Sequence, residues 1–335
     1  MLAGAFWTKA LALLSGGLDS AIAVRIVMEQ DIEMEALNFI TPFCQCKKGC
    51  GDLLALVKEL GVKLHAVSLF EDYLEVVKNP RHGYGSNLNP CIDCRILMFK
   101  KAKVRMVEIG ASFIVTGEVL GQRPMSQHKE ALSTIERESG LDGLVLRPLS
   151  AKSLPPTRAE EKGWVDRRRL LSITGRSRRE QIGLARSYRI SSYSCPSGGC
   201  LLTDPGFTRR LRDLLIHCPD PSLNDIELLK VGRHFRLTPS TKLIVGRNKA
   251  ENERIRTLSQ NSDIIFEAIG YNCPISIARG PLSGDDVIIS ARLEARYSDA
   301  PKGGLVEVAY RTYDDRGKLA VMPASDEEIR HLRVN

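Results

Sequence analysis

Hydrophobic positions fall into two regimes along the chain. Over the first 150 residues, short apolar runs alternate with segments whose apolar residues recur at helical spacing. The runs at 10–14, 34–40, 63–69, 112–116 and 143–146 show little polar alternation, which predicts buried strands. The segments at 21–29, 52–60, 93–109 and 126–139 predict helices, with Gly61 and Gly110 at the ends of the second and third. Strand and helix in alternation predict an α/β fold, a doubly wound parallel sheet covered on both faces. Ligands of such sheets lie outside the carboxyl ends of the strands. The stretch 15–20, Cys44, residues 116–118 and Arg147 would all project from that edge.

Past residue 150 the periodicity weakens. Pro155-Pro156 marks a break, and a basic helix is expected over 207–217, before a Pro/Asp/Ser-rich linker at 219–224. Short β-type runs follow at 235–237, 242–246, 264–268, 275–278, 287–293 and 306–310, with one helix at 249–258. These predict a C-terminal α+β domain on a mostly antiparallel sheet. The expected division is 1–150, 151–224 and 225–335.

Composition narrows the function classes. The net charge is +8, and residues 151–235 hold sixteen Lys and Arg against nine Asp and Glu, so most of the excess lies there. A polyanion such as RNA would meet that region first, the plainer alternative being a solvated basic surface. No run approaches the ~20 apolar residues of a membrane helix. The first fourteen residues lack a basic leader, so no signal peptide is read and a cytoplasmic protein is expected. Nine cysteines, an odd number, then favour metal, cluster or redox chemistry over a disulfide frame.

The stretch Ser15-Gly16-Gly17-Leu18-Asp19-Ser20 joins the first strand to the first helix. Glycines allow a sharp turn that gathers N–H groups, and Ser20 is expected to cap the helix, making an anion cradle. In this position SGGLDS resembles the PP-loop signature of ATP pyrophosphatases (adenine nucleotide α-hydrolase-like fold), which cleave ATP between its α and β phosphates. The resemblance implies that Ser15, Gly16, Gly17, Asp19 and Ser20 bind ATP, with Asp19 helping to hold Mg2+. It also implies adenine near Asn38 and Phe39, at the end of the second strand. Gly117 would allow close approach of the nucleotide, and Arg123 would meet phosphate; a simple structural turn is the alternative for each.

Asn89-Pro90-Cys91-Ile92-Asp93-Cys94 opens the long helix and resembles the PCxxC motif of tRNA-thiolating enzymes of the MnmA, TtcA and TtuA types. Cys200, in Ser197-Gly198-Gly199-Cys200, is the matching distant cysteine, and Arg147-Pro148-Leu149 resembles the RPL segment of the TtcA and TtuA types. The resemblance implies that Cys91, Cys94 and Cys200 hold a [4Fe–4S] cluster by three irons, with Cys195 a rival third ligand. An MnmA-like route needs no cluster: Cys91 or Cys94 would exchange a persulfide with Cys200 and close a disulfide. Cys44, Cys46 and Cys50 read as a zinc or cluster half-site, a guard of the rim or a sulfur relay; Cys218 and Cys273 read as packing residues. Residues 242–253, with Val245-Gly246-Arg247-Asn248 and Asn252, resemble the NFACT-R RNA-binding domain.

Together these imply an ATP-dependent tRNA sulfurtransferase that adenylates a uridine carbonyl and replaces its oxygen with sulfur. Its partners would be tRNA, a sulfide or persulfide donor and a second copy of itself. The alternatives are a thiouridine desulfidase, an amide-forming PP-loop synthetase and a non-catalytic RNA-binding protein.

Overall fold

The computed structural model describes residues 8–44, 51–193, 199–301, 303–313 and 315–334. The chain divides into two compact units, 1–203 and 204–335, so residues 151–203 pack with the first and residues 204–224 with the second.

The first unit runs β1 (Lys9–Leu13), α1 (Leu18–Met28), β2 (Glu33–Ile40), α2 (Gly51–Leu60), β3 (Lys63–Ser68), α3 (Phe70–Lys78), α4 (Cys91–Glu108), β4 (Phe113–Thr116), α5 (Lys129–Ser139), β5 (Val145–Leu146), α6 (Arg158–Glu161) and α7 (Arg179–Ser187). Its five strands pair in parallel in the order β3-β2-β1-β4-β5. Successive strand side chains face opposite sides, which explains the unbroken apolar runs. Ala10, Ala12, Phe113 and Val115 enter a core with α1 and α2, while Leu11, Leu13 and Ile114 enter a second core with α4 and α5. Four expectations are corrected. Residues 70–78 form a helix that the expected elements leave out, although Phe70, Tyr73, Leu74 and Val77 recur at helical spacing. Residues 158–161 and 179–187 are helical where the pattern looked weak. The helix expected from 126 begins at Lys129, behind the His128 cap. Ser20 is no cap either: Gly17 takes that position, and Ser20 lies inside the first turn with its hydroxyl donating to the Gly17 carbonyl at 2.8 Å.

The second unit runs α8 (Pro205–His217), α9 (Leu223–Leu228), β6 (Arg233–Thr238), β7 (Thr241–Val245), α10 (Lys249–Leu258), β8 (Ile264–Ala268), β9 (Ser276–Arg279), α11 (Gly284–Tyr297), β10 (Val306–Arg311), β11 (Arg316–Val321) and α12 (Asp326–Leu332). Its sheet is antiparallel, ordered β11-β10-β8-β9-β7-β6. The expected strand at 287–293 is instead the middle of α11. Val287, Ile288 and Ile289 favour a strand locally, but Ser283 and Asp286 form a capping box. The buried Ser290, Ala291, Leu293, Glu294 and Ala295 form the stripe that packs on the sheet, so tertiary burial overrides propensity. The expected linker also gives way to α9, which Ser222 caps. Among the described residues, no helix is long and apolar enough to cross a membrane.

Candidate functional site

The carboxyl ends of β1, β2, β4 and β5 open on one edge of the parallel sheet. Beyond β1 the chain turns through Gly16, at φ +78°, and enters α1 with no side chain capping its first turn. The N-terminal N–H groups of this 11-residue helix therefore lack the usual side-chain acceptor, the condition for receiving an anion. Gly117, just past β4, lies directly against this turn: a Cβ there would fall 2.4 Å from the Ser20 nitrogen and 2.5 Å from the Asp19 carbonyl carbon. Only glycine permits that approach.

The Asp19 carboxylate is half engaged. Its Oδ2 accepts from Gln122 Nε2 at 3.0 Å and lies 3.9 Å from Arg178 Nη2. Its Oδ1 is buried with no hydrogen-bond partner. A buried carboxylate oxygen without a donor is costly unless something else takes it, so this atom fits a hard cation such as Mg2+. Asn38 Nδ2 donates to the Leu14 carbonyl at 2.8 Å and ties β2 to the end of β1. Phe39 packs against the core on the α4 side.

Cys91 is the first residue of α4, and its thiol donates to Ser126 Oγ at 3.2 Å. Asp93 fixes this helix end by accepting from the His82 backbone N–H at 3.0 Å and by pairing with the His82 ring at 2.9 Å. Cys200 reaches the same place through a backbone bridge to Cys44, with Leu201 N donating to Phe43 O at 2.8 Å. The buried Tyr73 of α3 lies near Cys94 and Cys200: burial, with these two beside it, pushes its phenol well above its ordinary value. Burial pushes the Cys94 thiol up to about 12 and raises Cys200 as well, so both are neutral thiols. Among the described residues, no three His, Cys, Asp or Glu side chains stand at metal-ligand spacing. Cys46, Cys50 and Cys195 lie outside the described residues.

A buried ion network backs the thiols. Arg147 Nε donates to Glu118 Oε2 at 3.0 Å, Arg147 Nη1 pairs with Glu136, and Arg95 Nε lies 3.6 Å from Glu118 Oε1. The Glu118 and Arg147 side chains are 2% and 4% exposed, so each charge depends on its partners. Arg123 links the two halves of the edge, because Arg95, Cys91 and Arg178 all act on its guanidinium and Arg178 also neighbours Asp19.

Tyr73, Gln122 and Arg178 are the site residues that sequence reasoning missed. Gln122 stands between Gly117 and Arg123, both expected near the nucleotide, and Arg178 lies in the basic stretch 151–235. Tyr73 has a signal in the stripe it forms with Phe70, Leu74 and Val77 at helical spacing, which marks it as a buried position of a helix.

Residues 6–153 match the family "Thiamine biosynthesis protein (ThiI)", and residues 232–333 match the NFACT protein RNA binding domain. A probable tRNA sulfurtransferase of Ureaplasma urealyticum is 33% identical over 148 residues, covering 42% of this chain and 36% of that protein. The tRNA-specific 2-thiouridylase MnmA of Pseudomonas savastanoi pv. phaseolicola is 27% identical over 243 residues, covering 67% and 59% respectively. This chain thus spans between about a third and three-fifths of the length of these relatives. The solved structure of a 4-thiouridine synthetase–RNA complex with bound ATP is 25% identical, covers 67% of this chain and 52% of that one, and superposes with a TM-score of 0.39. The polypeptide thus carries one segment similar to the ThiI family and a second segment similar to the NFACT RNA-binding domain.

Proposed function

We propose that the protein is an ATP-dependent tRNA sulfurtransferase that converts a uridine carbonyl to a thiocarbonyl. One observation carries this. An uncapped helix start with a half-engaged carboxylate, suited to ATP and its magnesium ion, shares its sheet edge with three thiols. The N–H groups at the start of α1 receive the pyrophosphate, and Asp19 Oδ1 takes the cation. Arg178 and Arg123 offset charge building on the α-phosphate while the uracil oxygen attacks it and pyrophosphate leaves. A sulfur nucleophile then adds to the activated carbon, and the former carbonyl oxygen departs with AMP. The target base must leave its stack to enter.

Cys91, Cys94 and Cys200 handle that sulfur. Three thiols beside a phenol and a guanidinium have the donor chemistry of an iron–sulfur centre. They do not stand at the spacing of a single metal ion, but these three would hold a [4Fe–4S] cluster by three separate irons. When bound, the cluster supplies an iron site that accepts sulfide. The sulfide or persulfide comes from a separate donor, and tRNA is the macromolecular partner, held in part by the domain at 232–333.

Nucleoside analysis of tRNA from cells lacking the protein tests the function. Loss of one thionucleoside is expected; an unchanged profile refutes thiolation, and accumulation of a thionucleoside identifies a desulfidase. Anaerobic purification with iron and sulfide assay tests the cluster: wild type should hold both, and Cys94→Ala should lose them. Iron absent from wild type would assign the three cysteines to persulfide and disulfide exchange.

A further inference from the structure

The second unit carries a cleft of roughly 360 Å³ walled by α8, β6 and the residues that follow α12. Arg209, Arg212, Asp213 and Ile216 line one wall. Their spacing puts them on one face of α8, while Phe207, Leu211 and Leu214 are buried on the other. The opposite wall includes Arg333 and is held in place by backbone pairing: Arg333 bridges Phe235, and Val334 N donates to His234 O at 2.9 Å. Arg236 of β6 completes the lining.

The charge balance of this cleft is one-sided. Among the described residues it presents four arginines and a single carboxylate, Asp213. That carboxylate is already committed, accepting from Arg236 Nε at 3.1 Å and Nη2 at 2.7 Å and from Lys242 Nζ at 2.9 Å. Arg209, Arg212 and Arg333 are exposed, and no ion pair to them occurs among the described residues. Guanidinium groups set along a rigid helix face match phosphate oxygens by charge and by their forked donors. The half-width of the surface furnished by α8 belongs to neither matched segment, since that helix lies between residues 153 and 232.

We propose that this cleft binds the phosphate backbone of RNA, α8 serving as a second grip beside the domain at 232–333. The proposal rests on the tRNA reading above and adds to it the surface that holds the substrate. Backbone contacts release counterions, so each phosphate-bound arginine adds to the salt dependence of binding.

The test uses the full chain and an unmodified tRNA transcript, with Kd measured from about 50 to 200 mM salt. Arg209→Gln/Arg212→Gln should weaken binding about tenfold or more at low salt and reduce the slope of log K against log salt by about 2. Arg333→Gln, on the facing wall, should reduce it by about 1, whereas Arg316→Gln on β11 should leave tenfold effects absent. All four arginines are exposed, so an unchanged melting temperature will show that each variant folds. A double variant that keeps both the wild-type affinity and slope overturns the cleft alone. Weaker binding with an unchanged slope also overturns it, because no phosphate contact was removed. A wild-type chain that fails to bind the transcript overturns the tRNA reading as well.

Discussion

Both units match most of their buried charges, but one buried carboxyl of the second stands apart. In the first, Glu118, Arg147 and Arg95 are gathered at the strand ends and matched, anion to cation. In the second, Glu294 is fully buried in mid-helix against the sheet. Its Oε2 accepts from Ser276, its Oε1 has no hydrogen-bond partner, and burial pushes it up to about 8. The contrast follows from strand direction. A parallel sheet brings its carboxyl ends and the loops that follow them to one edge, where functional groups accumulate. An antiparallel sheet sends alternate strand ends to opposite edges and concentrates no such loops. There Asp263 and Lys242 are buried against Arg279 and Asp213, the arginines of α8 lie on an outer surface, and Glu294 is a neutral core group whose cost depends on pH.

The largest expected effect would break the first half of this comparison. Asp19→Ala should lower AMP formation by about a thousandfold while tRNA binding persists, as followed with labelled ATP and a tRNA transcript. Activity within tenfold of wild type would remove Asp19 from the chemistry. Next comes the matched pair: Arg147→Met strands Glu118 in the interior and should cost about 3–5 kcal/mol in denaturant unfolding. A loss below about 1 kcal/mol would mean that Arg95 alone satisfies Glu118. Gly117→Ala forces a methyl into the turn at 15–20, and should cost about 1–3 kcal/mol and raise the KM for ATP.

Glu294 sharpens the comparison from the other side. Its folded value of about 8 lies above the ordinary 4.5, so between these the folded state keeps a proton that the unfolded chain has released. Stability of the second unit should therefore fall as pH rises from about 4.5 to about 8. Glu294→Gln should match wild type near pH 4 and exceed it by about 4 kcal/mol near pH 8, read from melting curves. Equal pH profiles would show that Glu294 ionises freely. The smallest effect belongs to Tyr73→Phe, which should cost about 1 kcal/mol. It should also slow alkylation of Cys94 at alkaline pH, because the neighbouring phenol favours the thiolate.

Much of the first unit was legible because its strands are buried on both faces. A run such as Ala10, Leu11, Ala12, Leu13 has no other economical conformation, and the helix signals between the runs leave a parallel sheet as the natural arrangement. The motif Val245-Gly246-Arg247-Asn248 was legible for a related reason. Asn248 caps α10 and Asn252 Oδ1 accepts from Ile275 N, so the pattern records local geometry. Residues 287–293 were misread because three β-branched residues open the segment, and only packing against β8 and β10 selects the helix.

Local sequence thus determined the alternation of strand and helix, the turn at 15–20, the cysteines at the head of α4 and the concentration of positive charge after residue 150. Each is a matter of residue type at short range: burial of apolar runs, glycine at a tight turn, thiols at fixed spacing. Only the tertiary structure decided that Gln122 and Arg178 meet Asp19, that Tyr73 comes near Cys94 and Cys200, and that Asp213 leaves Arg209 and Arg212 free. These contacts join residues from separate elements, some more than a hundred positions apart, and no local periodicity records which side chains meet when those elements pack.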